Sequence, residues 1–452
     1  MTTSPRKRFV IVGTGSRSRM YLDALAKKYP ETSELVGLCD QNPGRLAFTT
    51  EVYAKHFPDI PTYPAEEFER MIKETRPDEV IVTTRDSTHD EYIVRAMELG
   101  CNAITEKPMT TDAEKCQRIL DAEKKTGRRC RVTFNYRYSP PRTQVKDLLM
   151  SGVIGDVLAV DFQWLLDTYH GADYFRRWHR NKENSGGLLV HKSTHHFDLV
   201  NWWLSSVPEE VYATGQRRFA TPEMADRLGL TNRGERCWDC PEKERCTFKL
   251  DLAGNKKLKN LYLNNEQHDG YFRDRCIFAP DIDIEDSMNV LVHYRNQVKL
   301  NYSLHVFSAW EGYQIAFHGT KGRIEHKCNE TVYISGDGSV QGELKKEGTH
   351  TRVFPLRETP YEVELWEAKG GHGGGDDPLL NDLFGKPTED PYLRAADHRS
   401  GAYSILCGIA GNASIASGRS VRIDDLVSGL TEPDYPAMPD PSAPLPMPPQ
   451  IK

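Results

Sequence analysis

The chain opens on RFVIVGTGSRSRMYLDALAKKY, in which an unbroken apolar run ends in glycines and gives way to apolar residues at helical spacing, Met20, Leu22, Leu25 and Ala26. That order predicts a strand, a turn and a helix. ELVGLCD, ending on Asp40, reads as a second buried strand. Helical ERMIKETRP, the strand DEVIVTT, helical HDEYIVRAMELG and the strand NAITEKP follow. Strands alternating with helices predict a parallel, doubly wound sheet, an α/β Rossmann domain over residues 1–130. After about residue 130 the texture changes. RVTFNYRYSP, GDVLAVDFQWLL, SMNVLVHYRNQVKLNYSLHVF and GYQIAFHGTKGRIEHK alternate apolar with polar residues. They predict strands of a large, mostly antiparallel open sheet with one buried face. Between two of them, GGLLVHKSTHHFDLVNWWL predicts a helix packed on that sheet, so the second domain, 131–430, is expected to be α+β. From 431 to 452 prolines are too frequent for a helix or an internal strand, which predicts an extended tail.

A length of 452 residues accommodates two domains with a cleft between them. The formal net charge of −6, with both signs interspersed, creates no basic field for nucleic acid or an anionic membrane, so a small-molecule partner fits better. No run reaches the roughly 20 apolar residues needed to cross a bilayer. No secretion signal is read in the sequence, and a cytoplasmic location is expected. Cys39, Cys101, Cys116, Cys130, Cys328 and Cys407 lie singly in apolar or mixed segments, as reduced core thiols do. The other four cluster: Cys237, Cys240 and Cys246 in ERCWDCPEKERC, and Cys276 in RDRC. Two close cysteines grip a metal from a turn and two more close a tetrahedron, so a structural zinc is the first expectation for an insertion at about 232–280. Free thiols are the second and an iron–sulfur cluster the third.

Gly13 and Gly15 supply the first two positions of a G-x-G-x-x-G turn, where absent side chains let the backbone approach a pyrophosphate. Ser16 and Arg17 complete the turn, and Ser18 stands where a third glycine is usual. Asp40, at the end of the second strand, is placed to accept hydrogen bonds from an adenine ribose and to repel a 2′-phosphate, which favours NAD over NADP. Arg17 is the counter-argument, since a guanidinium neutralises such a phosphate. The plainer alternative is that Asp40 only caps the turn.

The strand-end sequence Glu106-Lys107-Pro108, preceded by Thr83, Thr84 and His89, resembles the glucose-fructose oxidoreductase, inositol dehydrogenase and rhizopine catabolism family. FNYRYSP, SGVIGDV and GTKGRIE add to the likeness, which runs from about Arg8 to about Asp425. The resemblance implies that Thr83, Thr84, His89, Glu106 and Lys107 line a nicotinamide. Independently, a proline after a strand fixes the turn and holds Lys107 at the carboxyl edge of the sheet. There an ammonium polarises a substrate oxygen and shares its proton.

His191 and His195 are four residues apart and face one side of a helix, with Asp198 and Trp202 continuing that face. His195 matches the histidine that exchanges the substrate proton in the family; His191 stands where the family commonly has an aspartate. Alternatives are a polar helix start whose histidines bond to backbone, or a metal held by the two imidazoles. Lys192 occupies the position where a metalloprotease-like motif needs a glutamate. Arg137, Tyr174, Asp198 and His372 are expected around a polyol substrate, and the GGHGGGDD run around His372 reads as a substrate-side loop. The leading expectation is an NAD-dependent oxidoreductase acting on a sugar, cyclitol or sugar derivative. Its rival is a glycosidase working by transient oxidation and elimination; a third reading is a non-catalytic sugar or nucleotide sensor. The resemblance also implies a homo-oligomer, a dimer or tetramer, formed through the open face of the second sheet.

Overall fold

A computed structural model describes residues 5–330, 342–386 and 388–450. The predicted alternation folds into β1 (Lys7–Val12), β2 (Ser33–Cys39), β3 (Thr62–Tyr63), β4 (Glu79–Val82), β5 (Asn102–Thr105) and β6 (Cys130–Val132), all parallel, in the order β6-β5-β4-β1-β2-β3. Phe9 to Val12 and Val80 to Val82 are buried, as strands covered on both faces require. The order reverses between β1 and β4, so their carboxyl ends open a crevice there.

The second sheet comprises nine strands among the described residues. They are β7 (Val157–Asp167), β8 (Pro208–Gln216), β9 (Ser287–Tyr294), β10 (Lys299–Ser308), β11 (Gly312–Gly319), β12 (Gly322–Glu330), β13 (Leu344–Pro355), β14 (Tyr361–Val363) and β16 (Val421–Arg422). β15 (Ala396–Asp397) belongs to the first sheet, antiparallel to β6. The order of the second sheet is β14-β13-β12-β11-β7-β10-β9-β8-β16, and all its pairs are antiparallel except β7 with β10. Alternation sets its faces: Val160, Phe162, Trp164 and Leu166 point inward from β7, and Tyr302 and Leu304 lie beside Phe162 and Trp164. Each buried large apolar side chain contributes roughly 1.5–3 kcal/mol. The other face carries Leu158 and Leu291, 56% and 53% exposed.

Two segments differ from the sequence reading, and the first sheet also takes in chain from far downstream. RVTFNYRYSP was expected to join the antiparallel sheet. Instead Cys130–Val132 completes the parallel sheet, Thr133 N–H donates to Thr105 O (3.0 Å), and Asn135–Tyr138 forms a tight turn before a helix begins at Pro140. The first sheet therefore passes residue 130. It also receives chain from far downstream, because β15 pairs with β6 and Leu379, Leu380, Leu383 and Phe384 pack on Phe9 and Tyr21. The expected helix around His191 is two, Leu188–His191 and Thr194–Leu204, the second buried along its whole length. The proline-rich tail is extended and begins on its own chain: Ser205 Oγ donates to Pro436 O (2.7 Å), and the Arg137 guanidinium lies 5.8 Å from the centre of the Tyr435 ring.

Candidate active site

The crevice at the carboxyl ends of β1 and β4 continues between the two sheets as one cleft of about 350 Å³. At one end the chain turns sharply after β1. Gly13 has φ +88°, and a Cβ there would stand 2.8 Å from the backbone of Thr83 and Thr84, so no side chain fits. The Thr83 hydroxyl donates to Gly13 O (2.5 Å), tying the turn to the end of β4. Asp40 accepts from Thr14 N–H (2.6 Å), Thr14 Oγ1 (2.9 Å) and Asn42 N–H (2.8 Å), so it braces this turn while lining the cleft. Arg45 lies between Asp40 (3.3 Å) and Asp269 (2.5 Å), its charge answered by two carboxylates. Arg17 turns away from Asp40 and pairs with Glu106 at 2.5 Å. The predicted insertion reaches back over this end: Ser16 N–H donates to the Tyr262 hydroxyl (3.0 Å), and Tyr262, Asp269 and Tyr271 form part of the wall.

At the other end Lys107 donates to His191 O (3.1 Å). Burial pulls its ammonium down to about 8, with the Asp86 carboxylate opposing that shift. His89 holds the same turn, with Nδ1 on Pro108 O (2.8 Å) and Nε2 on Thr84 O (3.3 Å). His191 Nδ1 is hydrogen-bonded to Asp86 Oδ2. Burial lowers the His191 imidazole well below its usual range, helped by Lys107, and raises the Asp86 carboxyl well above its own. Charge is disfavoured on both, so the hydrogen bond joins two groups that burial holds neutral. The His195 ring stacks on Tyr136 with centroids 4.1 Å apart, and its Nδ1 has no hydrogen-bond partner. His179 stacks on Trp178 at 3.6 Å, 4.2 Å from the His191 ring, and its Nδ1 is also without a partner. Burial drives both imidazoles well below the usual range, so both are neutral near pH 7.

Of the residues expected at the cofactor, Gly13, Gly15, Ser16, Arg17, Asp40, Thr83, Thr84, His89, Glu106 and Lys107 all line the cleft. So do Tyr174, His191, His195 and His372. His372 is fixed through Nδ1 to Asp376 (3.0 Å), and Tyr174 meets His170 Nε2 (2.9 Å), whose Nδ1 meets Glu311 (2.9 Å). The loop glycines permit close packing: a Cβ at Gly375 would lie 2.1 Å from Asn135 O. Arg137 and Asp198 are corrected. They form a buried bidentate pair with each other (2.8 and 2.6 Å), both about 1% exposed, and do not line the cleft. The tight turn Asn135–Tyr138 explains this, since it gives Tyr136 to the cleft and turns Arg137 into the interior. Cys237, Cys240, Cys246 and Cys276 surround a separate small cavity. Among the described residues no group of three or more His, Cys, Asp or Glu side chains is gathered to hold a metal ion, at these cysteines or at His191 and His195. Sequence reasoning missed Asp86, Tyr136, His179 and Lys192. Asp86 follows β4 just as Lys107 follows β5, and carboxyl ends of strands are where site residues of such sheets are sought.

Comparison with known proteins accords with this geometry. The description "Oxidoreductase family, NAD-binding Rossmann fold" matches residues 7–134, and "Oxidoreductase family, C-terminal alpha/beta domain" matches 146–423. A Bacillus subtilis (strain 168) protein named as an oxidoreductase, YteT, is 37% identical over 93% of this chain and 98% of its own. A glycosyl hydrolase family 109 protein of Akkermansia muciniphila is 27% identical, over 41% of this chain and 40% of its own. The Chromobacterium violaceum WlbA dehydrogenase, solved with NADH and UDP-GlcNAcA, shares the fold with TM-score 0.61 at 19% identity, covering 93% of this chain and 96% of that one.

Proposed function

The chain belongs to the oxidoreductase family of glucose-fructose oxidoreductase, inositol dehydrogenase and rhizopine catabolism proteins, and from that premise we propose that it oxidises a ring hydroxyl of a sugar, cyclitol or sugar derivative, or reduces the matching ketone, using NAD. The observation that carries this reading is the meeting, in one cleft, of a glycine turn braced by Asp40 with Lys107, His191 and His195 at the far end. The residues fit a dinucleotide. Gly13 lets the chain turn tightly against Thr83, a Cβ on Gly15 would meet nothing nearer than the Tyr262 hydroxyl at 3.7 Å, which leaves room for a pyrophosphate, and Asp40, Arg45 and Asp269 together present net negative charge where a 2′-phosphate would sit. When bound, NAD supplies the hydride acceptor.

The chain's own groups manage the proton. Lys107, charged below about pH 8, donates to the substrate oxygen and stabilises its developing negative charge. A neutral imidazole takes the hydroxyl proton as the carbon loses hydride. His195 is one candidate, uncharged and with Nδ1 unengaged. His191 is the other. With Nδ1–H donating to Asp86, its Nε2 is left free to accept. Tyr174, fixed through His170 to Glu311, and His372, fixed by Asp376, hold further hydroxyls. The buried single thiols suit a reducing cytoplasm.

A second reading is favoured by the surplus of neutral bases. Oxidation of a glycoside needs one base, elimination of the aglycone needs another at the acidified neighbouring C–H, and His179 stands beside His191. The two are separated by incubating protein, assayed for bound nicotinamide, with sugars, cyclitols and aryl glycosides while NADH and free aglycone are followed. Net NADH selects the dehydrogenase, aglycone release without net NADH selects the glycosidase, and ligand binding without turnover defeats both in favour of a sensor.

A further inference from the structure

The four clustered cysteines lie outside the cleft, and the function proposed above uses none of them. Their backbone frame is specific. Cys237 N–H donates to Asp274 O (2.8 Å) and Cys276 N–H to Glu235 O (2.8 Å), so two short extended segments pair and bring Cys276 beside Cys237 from thirty-nine positions away in the numbering. Cys240 and Cys246 follow on turns closed by Lys243 N–H to Cys240 O (3.2 Å) and Cys246 N–H to Glu242 O (3.0 Å). All four side chains face one small cavity walled by Leu230, Phe248, Ile277 and Phe278. Each sulfur also accepts from backbone: Gly234 N–H reaches Cys240 Sγ (3.3 Å), Leu250 N–H reaches Cys237 Sγ (3.4 Å), and Phe248 and Phe278 serve Cys246 and Cys276. A neutral thiol is a weak acceptor and gains little from such a donor, whereas a thiolate gains a charge-assisted bond. Providing one to every member of a four-sulfur set is a frame suited to anionic sulfur, and Arg176, donating to Phe248 O (3.0 Å), adds positive charge nearby.

We infer that Cys237, Cys240, Cys246 and Cys276 are the ligands of a structural zinc ion. The four sulfurs line one cavity without being gathered around a single point, so binding would draw them into a tetrahedron at Zn–S distances of about 2.3 Å, with no position left for a substrate, and the role is to hold the fold rather than to react. Binding replaces four S–H protons by one divalent ion and releases those protons to water; no sulfur changes oxidation state. Because zinc displaces the thiol protons, its affinity rises with pH. The ion would staple the segment between Cys246 and Cys276, from which Tyr262, Asn265 and Asp269 reach Ser16, Asn42 and Arg45 of the dinucleotide turn. The site makes no use of the redox reading and stands or falls without it.

The test uses the whole chain, expressed and purified under reducing conditions without added metal. Elemental analysis should find zinc at about one per chain, and titration with a mercurial should release it as the thiols are consumed. Cobalt(II) exchanged into the protein should give the intense visible bands and sulfur charge-transfer absorption of a tetrahedral thiolate site. Cys240→Ser and Cys246→Ser should each lose most of the zinc. If they fail to fold, the metal content, titration and cobalt spectrum of the parent protein still decide. Substoichiometric zinc with all four thiols freely alkylated overturns the assignment. So does a disulfide among the four by mass spectrometry, or iron and sulfide in place of zinc.

Discussion

Replacing Asp86 by asparagine keeps the side chain's size and exchanges its carboxyl for an amide, isolating what the carboxyl does for His191. The two meet through Asp86 Oδ2 and His191 Nδ1, at 3% and 8% residual exposure, where water cannot substitute for the lost partner. Leaving a buried hydrogen-bonding group without its partner costs about 1–3 kcal/mol. At about 1.4 kcal/mol per tenfold change, lost orientation alone lowers kcat by about 10- to 100-fold. An amide that turns its N–H toward Nδ1 also forces the imidazole proton onto Nε2, which removes the base, and general acid–base groups contribute about 10²–10⁴-fold. The expected fall in kcat with a substrate that reduces NAD is therefore about 10²–10⁴-fold, with NAD affinity near the parent value because Asp40 and the glycine turn are untouched. His191→Ala should fall by a similar factor, and the double variant should be no worse than the weaker single, since the residues act as a unit. Stopped-flow NADH absorbance gives kcat, and protein fluorescence gives the NAD Kd. Near-parent kcat in Asp86→Asn together with additive losses in the double variant would refute the pairing and leave His195 as the base.

Lys107, lowered to about 8, should set an alkaline limb. A rate that needs its ammonium is full below about 8 and lost as pH rises through it, and Lys107→Arg should move that limb out of range. The same depression means the unfolded chain binds more protons than the folded one between about 8 and the ordinary 10.5, so this group's contribution makes stability rise with pH across that window. Asp40→Ala should weaken NAD binding and narrow the preference over NADP, read by titrating both; unchanged affinity for the two would remove Asp40 from the cofactor site. On the open face of the second sheet, Leu158 and Leu291 are expected to be covered by a second copy of the chain. Sedimentation should show a dimer or tetramer that Leu291→Glu weakens, and a monomer at micromolar concentration defeats that expectation.

What was legible in the sequence is what local chemistry determines. The apolar runs ending at Val12 and Val82, the glycines after the first and the proline after Lys107 each specify a strand end and a turn without help from distant residues. The alternation in VLAVDFQWLL fixes which side chains of β7 are inward, because a strand has a period of two. The residues that line the glycine-turn end of the cleft were therefore readable almost one by one. Where two elements meet across long separations the same reasoning has nothing to work on. Asp86 and His191 are 105 positions apart, and Ser16 and Tyr262 are 246 apart.

Arg137 shows the limit within a motif that was read. Its charge and its place in FNYRYSP suggested a substrate ligand, yet a guanidinium at 1% exposure demands a partner, and Asp198 supplies both oxygens. Unpaired, either charge would cost several kcal/mol in that environment. The pair also locks the strand-end turn to the buried helix Thr194–Leu204, which begins at the cleft with His195 and carries Asp198 one turn deeper. Arg137 thus positions the backbone that presents Tyr136, and Asp198 positions the helix that presents His195, whose rings stack at 4.1 Å. The two residues expected to touch the substrate instead set the distance between two that do line its cleft. Removing one charge should disturb the stacked pair through a buried, uncompensated partner, whereas replacing both by well-packed apolar residues should be far milder.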